Sequence, residues 1–237
     1  MEKGQTTSDA PSLMGEWIIL QTNGLGSKTV ASSIVAVHQK DSKRVKVKPR
    51  VVSLGRVPAF CALIREGKGS GDYIVDYRQG RMTRGAVLIL EALNDRGAMV
   101  TPDLRRAVAM HGAERTAEFD RAMAELQRGL WIVKVEEVYD PDFYYRWDLL
   151  DNWLPGPLVA ARDLGRAEAA RRLLAAYLKS AAAAQTRFLA GLFGLGAQEV
   201  GVALDSLEAA GAIRLDQKIR GLPGSWVVWQ LRDDRQR

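Results

Sequence analysis

Hydrophobic positions change their period near the middle of the chain. Between 114 and 130 the apolar residues Phe119, Met123, Leu126 and Leu130 recur every three to four positions, the spacing of an amphipathic helix. At Gly129 the period drops to two: Trp131, Val133 and Val135 alternate with Ile132, Lys134 and Glu136, which is strand spacing. Asp140-Pro141-Asp142 reads as a turn, and Phe143-Tyr144-Tyr145-Arg146-Trp147 as a second, aromatic strand. Two helices precede this block. Thr83 is placed to cap one that carries Val87, Leu88, Leu90 and Leu93 to about Asp95 and stops at Arg96-Gly97. After the extended link Ala98-Met99-Val100, Thr101-Pro102-Asp103 predicts an N-cap with proline at the first helical position, opening a helix to Met110 with Leu104 and Val108 inward.

Three helices followed by a hairpin spell a winged helix, over about residues 82–148. The order then recurs. A short helix is expected over Asp148–Leu154, broken by Pro155-Gly156-Pro157. Helices follow over Arg166–Lys179, from Gln185 or Thr186 to Gly194, and over Gln198–Ala210. Ala212–Leu215 and Ser225–Leu231 then flank a Lys218–Gly224 turn. Two copies of one supersecondary order imply a helix-rich α+β fold of two tandem winged-helix units.

The N-terminal quarter follows another pattern. Residues 1–14 read as a disordered leader and 15–66 as a small, basic, β-like region, in which Asn23-Gly24 is a turn signal. The glycine-rich stretch from Gly67 to Gly80 contains the short aromatic segment Asp72–Tyr77 and leads into the first unit. The expected division is thus 67–155 and 156–231 for the two winged helices, with 232–237 a frayed tail.

Charge adds a direction. The 237 residues carry a formal +6 and a pI near 9.5, which favours an anionic partner. Residues 38–56 concentrate it, with seven Lys or Arg against Asp41 alone, and a strand over Arg44-Val45-Lys46-Val47-Lys48 would place Arg44, Lys46 and Lys48 on one face. The same residues also suit a solvated edge strand guarded by lysines. Further candidate DNA contacts are Arg78, Arg81 and Arg84 around the first helix, Arg105 and Arg106 on the second, and Arg115 and Arg121 on the third. Lys134 and Arg146 on the first wing and Lys218 and Arg220 on the second complete the set. The Gln198–Ala210 helix has Glu199, Asp205 and Glu208 and no basic residue, a poor composition for a major groove and a better one for a protein neighbour.

Other chemistry is excluded or narrowed by what the chain lacks. One cysteine, Cys61, permits no intrachain disulfide framework and no cysteine-based zinc site, and its apolar surroundings predict a buried, inert thiol. His38 and His111 have no metal-ligand neighbours at helical spacing, so no metal and no cofactor are expected. The glycine runs at 67–71 and 194–201 match neither a phosphate loop nor a dinucleotide fingerprint. No apolar run is long enough to span a bilayer, and the first residues lack the order of a signal peptide. No membrane partner and a cytoplasmic location are the expectation.

The runs FDRAMAELQRGLWIVKV, YYRWDLLDNWLP, ARRLLAAYLKS and LFGLGAQEVGVALDSLEAAGAI, over about residues 81–216, resemble the winged-helix family that includes the AlkZ-type interstrand-crosslink DNA glycosylases. The resemblance implies a tandem winged-helix fold and duplex DNA binding. In enzymatic members it also implies excision of alkylated or crosslinked bases by a Gln-apolar-Gln or Gln-apolar-Asp motif that positions water. Here Gln21-Thr22-Asn23 ends in a residue that cannot act as a base, and Gln39-Lys40-Asp41 has the right ends around a lysine. Gln39 and Asp41 are therefore the nearest catalytic candidates, and no catalytic residue is assigned. Three functions stand open: a non-catalytic duplex DNA binder linked to repair, a DNA glycosylase, and a protein-interaction or homodimerisation module.

Overall fold

The structure is a computed structural model that describes the backbone of residues 17–18, 29–32 and 50–54 and the residues 55–66, 68–69, 71–140 and 142–230. It is helix-rich α+β. In the N-terminal region, strands β1 (Trp17–Ile18) and β2 (Thr29–Ser32) flank β3 (Arg50–Ser53), β1 parallel and β2 antiparallel to it. The Asn23-Gly24 turn and the 44–48 basic segment lie outside the described residues.

The β-like expectation for 15–66 fails after Ser53, where a short 3-10 turn over Leu54–Arg56 leads into helix α1 (Val57–Arg65). Pro58 sits in its first turn, where the missing amide hydrogen costs nothing. Cys61, Ala62 and Leu63 are buried against α7 (Pro155–Arg162) and α8 (Arg166–Ala181). The apolar run holding Cys61 is thus a core helix, and periodicity over nine residues did not separate it from a buried strand. Asp72–Tyr77 likewise falls mostly in a short helix, α2 (Tyr73–Arg78).

The first repeated unit comprises α3 (Arg84–Arg96), β4 (Met99–Val100), α4 (Thr101–Ala107), α5 (Thr116–Arg128), β5 (Ile132–Val138) and β6 (Tyr144–Leu149). The second comprises α8, β7 (Ala183–Ala184), α9 (Thr186–Phe193), α10 (Ala197–Ala209), β8 (Ile213–Gln217) and β9 (Trp226–Trp229). Each has the order helix, strand, helix, helix, hairpin. In each the strand after the first helix pairs antiparallel with the last strand, making a three-stranded sheet, β4-β6-β5 or β7-β9-β8. This connectivity is compatible with a winged helix.

Capping follows the local chemistry in part. Thr83 Oγ1 accepts a hydrogen bond from the Ala86 amide at 3.3 Å, and α3 stops at Gly97, whose φ of 73° suits glycine. Thr101 is not the expected cap of α4. Its backbone is already helical, and its hydroxyl accepts from Trp147 Nε1 at 3.0 Å and donates to the Tyr145 carbonyl at 3.2 Å, tying α4 to β6. The Pro155-Gly156-Pro157 break is the start of α7, with proline in its first turn.

Two cores meet at β5. Ile132 and Trp131 are buried with α3, α4 and α5, whereas Val133 and Leu130 belong to the core formed by α1, α7, α8 and α10. The expected alternation of a half-buried strand fails at the root of β5 because both of its faces are covered. At the seam, Arg65 at the end of α1 is only 2% exposed. It donates to Asp151 of α6 (Leu150–Trp153) at 2.6 and 3.4 Å and lies 4.3 Å from the Trp131 ring centroid. Gly129 gives Trp131 its place, since a Cβ there would stand 2.5 Å from the indole Cδ1.

Candidate nucleic-acid interface

Half of the arginines of the first unit, Arg105, Arg106, Arg115 and Arg146, are committed to neighbouring acids. Arg105 pairs with Asp120 at 2.8 Å and stacks on Phe119, and Arg106 pairs with Asp103. Arg146 binds Glu136 at 2.6 Å, and Lys134 lies 3.8 Å from the Tyr145 ring centroid. Arg81 donates through Nε to Asp76 at 2.9 Å, alongside Lys68 at 3.1 Å. Burial pushes the Asp76 carboxyl up, but these two cations outweigh it and hold it below its ordinary value.

A second group converges on Glu118. Arg115 donates to it at 3.0 and 3.2 Å and to the Ala109 carbonyl at 2.9 Å. The Arg115 guanidinium holds the Glu118 carboxyl below its usual range, and Arg121 and Arg84 pull the same way. Three arginines thus surround one carboxylate where the start of α3 meets α5. Arg121 itself folds back onto the Ala117 carbonyl at 3.1 Å. Arg78 and Arg84 are exposed and form no ion pair among the described residues.

The second wing differs. Arg214, Lys218 and Arg220 are exposed on or beyond β8, with Asp216 the one acid of the hairpin. Lys218 Nζ donates to the Gly224 carbonyl at 3.4 Å, and Gln185, the residue before α9, donates to the Pro223 carbonyl at 3.1 Å. That bond brings the first turn of α9, with exposed Arg187 and no acidic residue, beside the wing loop. Arg187, Arg214 and Arg220 form no ion pair among the described residues. Lys218 and Arg220 were legible as candidates from the sequence. Arg187 and Arg214 were not, although an α9 without any acid to neutralise Arg187 was a readable signal.

Electrostatics on α10, the helix that precedes the second wing, point away from base reading. On α10, Glu199 accepts from Arg166 at 2.7 Å and from the Gly196 amide at 2.9 Å, and Glu208 accepts from the Leu215 amide at 2.8 Å. Arg166 first, and then the Gly196 amide, keep the Glu199 carboxyl below its ordinary value. Gln39, Asp41, Arg44, Lys46 and Lys48 lie outside the described residues. No group of metal-ligating side chains occurs among the described ones. No single described helix is long and apolar enough to cross a membrane.

A family model described as AlkZ related matches residues 42–194, more than half of the chain. The chain belongs to the AlkZ-related family. The match takes in the basic segment from residue 42, α1, the whole first unit and the second as far as α9, and ends before α10 and the second wing. No curated protein and no solved structure matches it.

Proposed function

We propose that this AlkZ-related protein is a tandem winged-helix, duplex DNA-binding protein associated with DNA repair, and that it acts by binding without excising a base. The second wing supports this reading. Lys218 and Arg220 lie on one exposed loop and Arg187 follows Gln185, which bonds that loop; none has a paired acid among the described residues, a charge balance suited to phosphate oxygens. Helix α10, acidic where a base-reading helix needs donors, favours shape and backbone recognition over sequence. Described carboxylates with lowered pKa values, Asp76, Glu118, Glu168 and Glu199, are held ionised by arginine or lysine, which makes them weak bases. The glycosylase alternative rests on Gln39 and Asp41.

An anisotropy titration of a labelled duplex tests the proposal. Three phosphate contacts give a log–log salt slope of about −3, or about a fortyfold loss of affinity between about 50 and 200 mM salt. Arg187→Ala, Lys218→Ala and Arg220→Ala each lower the slope by about one, alike on unrelated sequences. No binding at the lower salt sinks the proposal. Release of alkylated bases that Asp41→Asn abolishes replaces it with the glycosylase.

A further inference from the structure

The first wing carries a row of rings whose inner end, Trp147 and Tyr145, packs in the first core and whose outer end, Phe143 and Tyr139, is exposed. Tyr145 and Trp147 alternate along one face of β6, Phe143 precedes that strand by one residue, and Tyr139 joins them from just beyond β5. Ring centroids are 5.3 Å apart for Tyr139 and Phe143, 5.0 Å for Phe143 and Tyr145, and 5.9 Å for Tyr145 and Trp147. The row runs from the buried, hydrogen-bonded Trp147 out to Phe143 and Tyr139, which are 49% and 70% exposed.

Its inner half already receives a cation. Lys134 Nζ lies 3.8 Å from the centroid of Tyr145 and 5.6 Å from that of Trp147. The outer half offers the same ring faces with more negative charge around them. Glu137 accepts from the Tyr139 hydroxyl at 2.5 Å, Asp142 accepts from Tyr144 at 3.2 Å, and Asp140 is exposed between the strands. Over 132–149, Lys134 and Arg146 stand against Glu136, Glu137, Asp140, Asp142 and Asp148. Such a surface repels phosphates, and an exposed aromatic patch of this kind marks an interaction site.

We infer that the tip of the first wing docks an extended lysine- or arginine-bearing segment of a partner protein, its cations over Tyr139 and Phe143 and its charge matched by Glu137, Asp140 and Asp142. The inner Lys134–Tyr145 contact is the template, and charge complementarity selects a basic protein over nucleic acid. Its residues are distinct from those of the second wing.

The test uses the full chain and a fluorescent peptide of alternating arginine and serine, with the matching glutamate–serine peptide as control. The basic peptide binds and the acidic one does not. Phe143→Ala and Tyr139→Ala each weaken it about two- to fivefold, the range of an exposed cation–π contact. Asp140→Asn lowers its salt dependence, Tyr144→Phe leaves affinity unchanged, and duplex affinity is unaffected by all four. Equal peptide binding by wild type and Phe143→Ala overturns the inference. So does a loss of duplex binding in Phe143→Ala, which reassigns the rings to nucleic acid. So does self-association that Phe143→Ala abolishes, which reassigns them to a second copy of the chain.

Discussion

Asp151→Ala is the sharpest probe of how the two units are joined. It removes the acceptor of both Arg65–Asp151 hydrogen bonds and leaves a guanidinium that is 2% exposed, with no carboxylate and with an Nε that has no acceptor among the described residues. Stranding one partner of a buried pair costs about 3–5 kcal/mol. The side chain of Asp151 is 16% exposed, so water reaches this edge of the pair, and Trp131 still supplies a ring face. Both place the expected loss at the lower end, about 3 kcal/mol. For a chain of this size that lowers Tm by about 6–12 °C. Arg65→Met combined with Asp151→Leu removes both charges and restores most of the loss, because well-packed apolar groups replace a buried pair at little cost. Thermal unfolding followed by circular dichroism, with urea titration for the free energies, measures the loss in Asp151→Ala and its recovery in the double variant. A loss below about 1 kcal/mol for Asp151→Ala, the level of an ordinary surface pair, refutes the reasoning.

Three further outcomes follow from other sites. Gly129→Ala forces Trp131 off its position, since the new Cβ falls 2.5 Å from the indole, and costs about 1–3 kcal/mol by urea titration; an unchanged midpoint removes the close-approach argument. Glu168 is held down to about 2 first by the hydrogen bond from Arg171 and then by that from Arg172, so its stabilisation is complete above the ordinary value of 4.5 and is lost as pH falls through about 2. Because the carboxylate is about a third exposed, Glu168→Gln costs only about 0.5 kcal/mol at neutral pH, and the difference from wild type closes towards pH 2; a difference that grows on acidification contradicts it. Burial pushes the Cys61 thiol up to about 12, so a chromogenic disulfide reagent labels it only at the rate of unfolding, and rapid labelling of the native chain disproves the placement of α1.

The order of helices and hairpin in both repeats was legible because each rests on local chemistry, whereas the two-residue strand β7, which forms only by pairing with β9, was not. The apolar period of α5, the Thr83 cap, the Gly97 stop and the change of period at Gly129 all act within a few residues. Even the acidity of α10 and the basic second wing needed no tertiary information. Legibility failed where a segment's role depends on what covers it. The apolar run at 57–65 suits a buried strand as well as a helix, and only contact with α7 and α8 gives it a place in the second core.

What the sequence determined by itself, then, is periodicity, caps, turns and the distribution of charge, together with the family likeness those patterns carry. Only the tertiary structure decided which side chains distant in sequence meet. Arg65 and Asp151 are 86 positions apart, Thr83 and Glu125 are 42 apart, and Lys134 meets Tyr145 across a bulged hairpin register. The physical reason is that a side chain's period is fixed by its own backbone, whereas its electrostatic partner is fixed by how distant elements pack. One arginine looks like another until the fold has placed a carboxylate beside it.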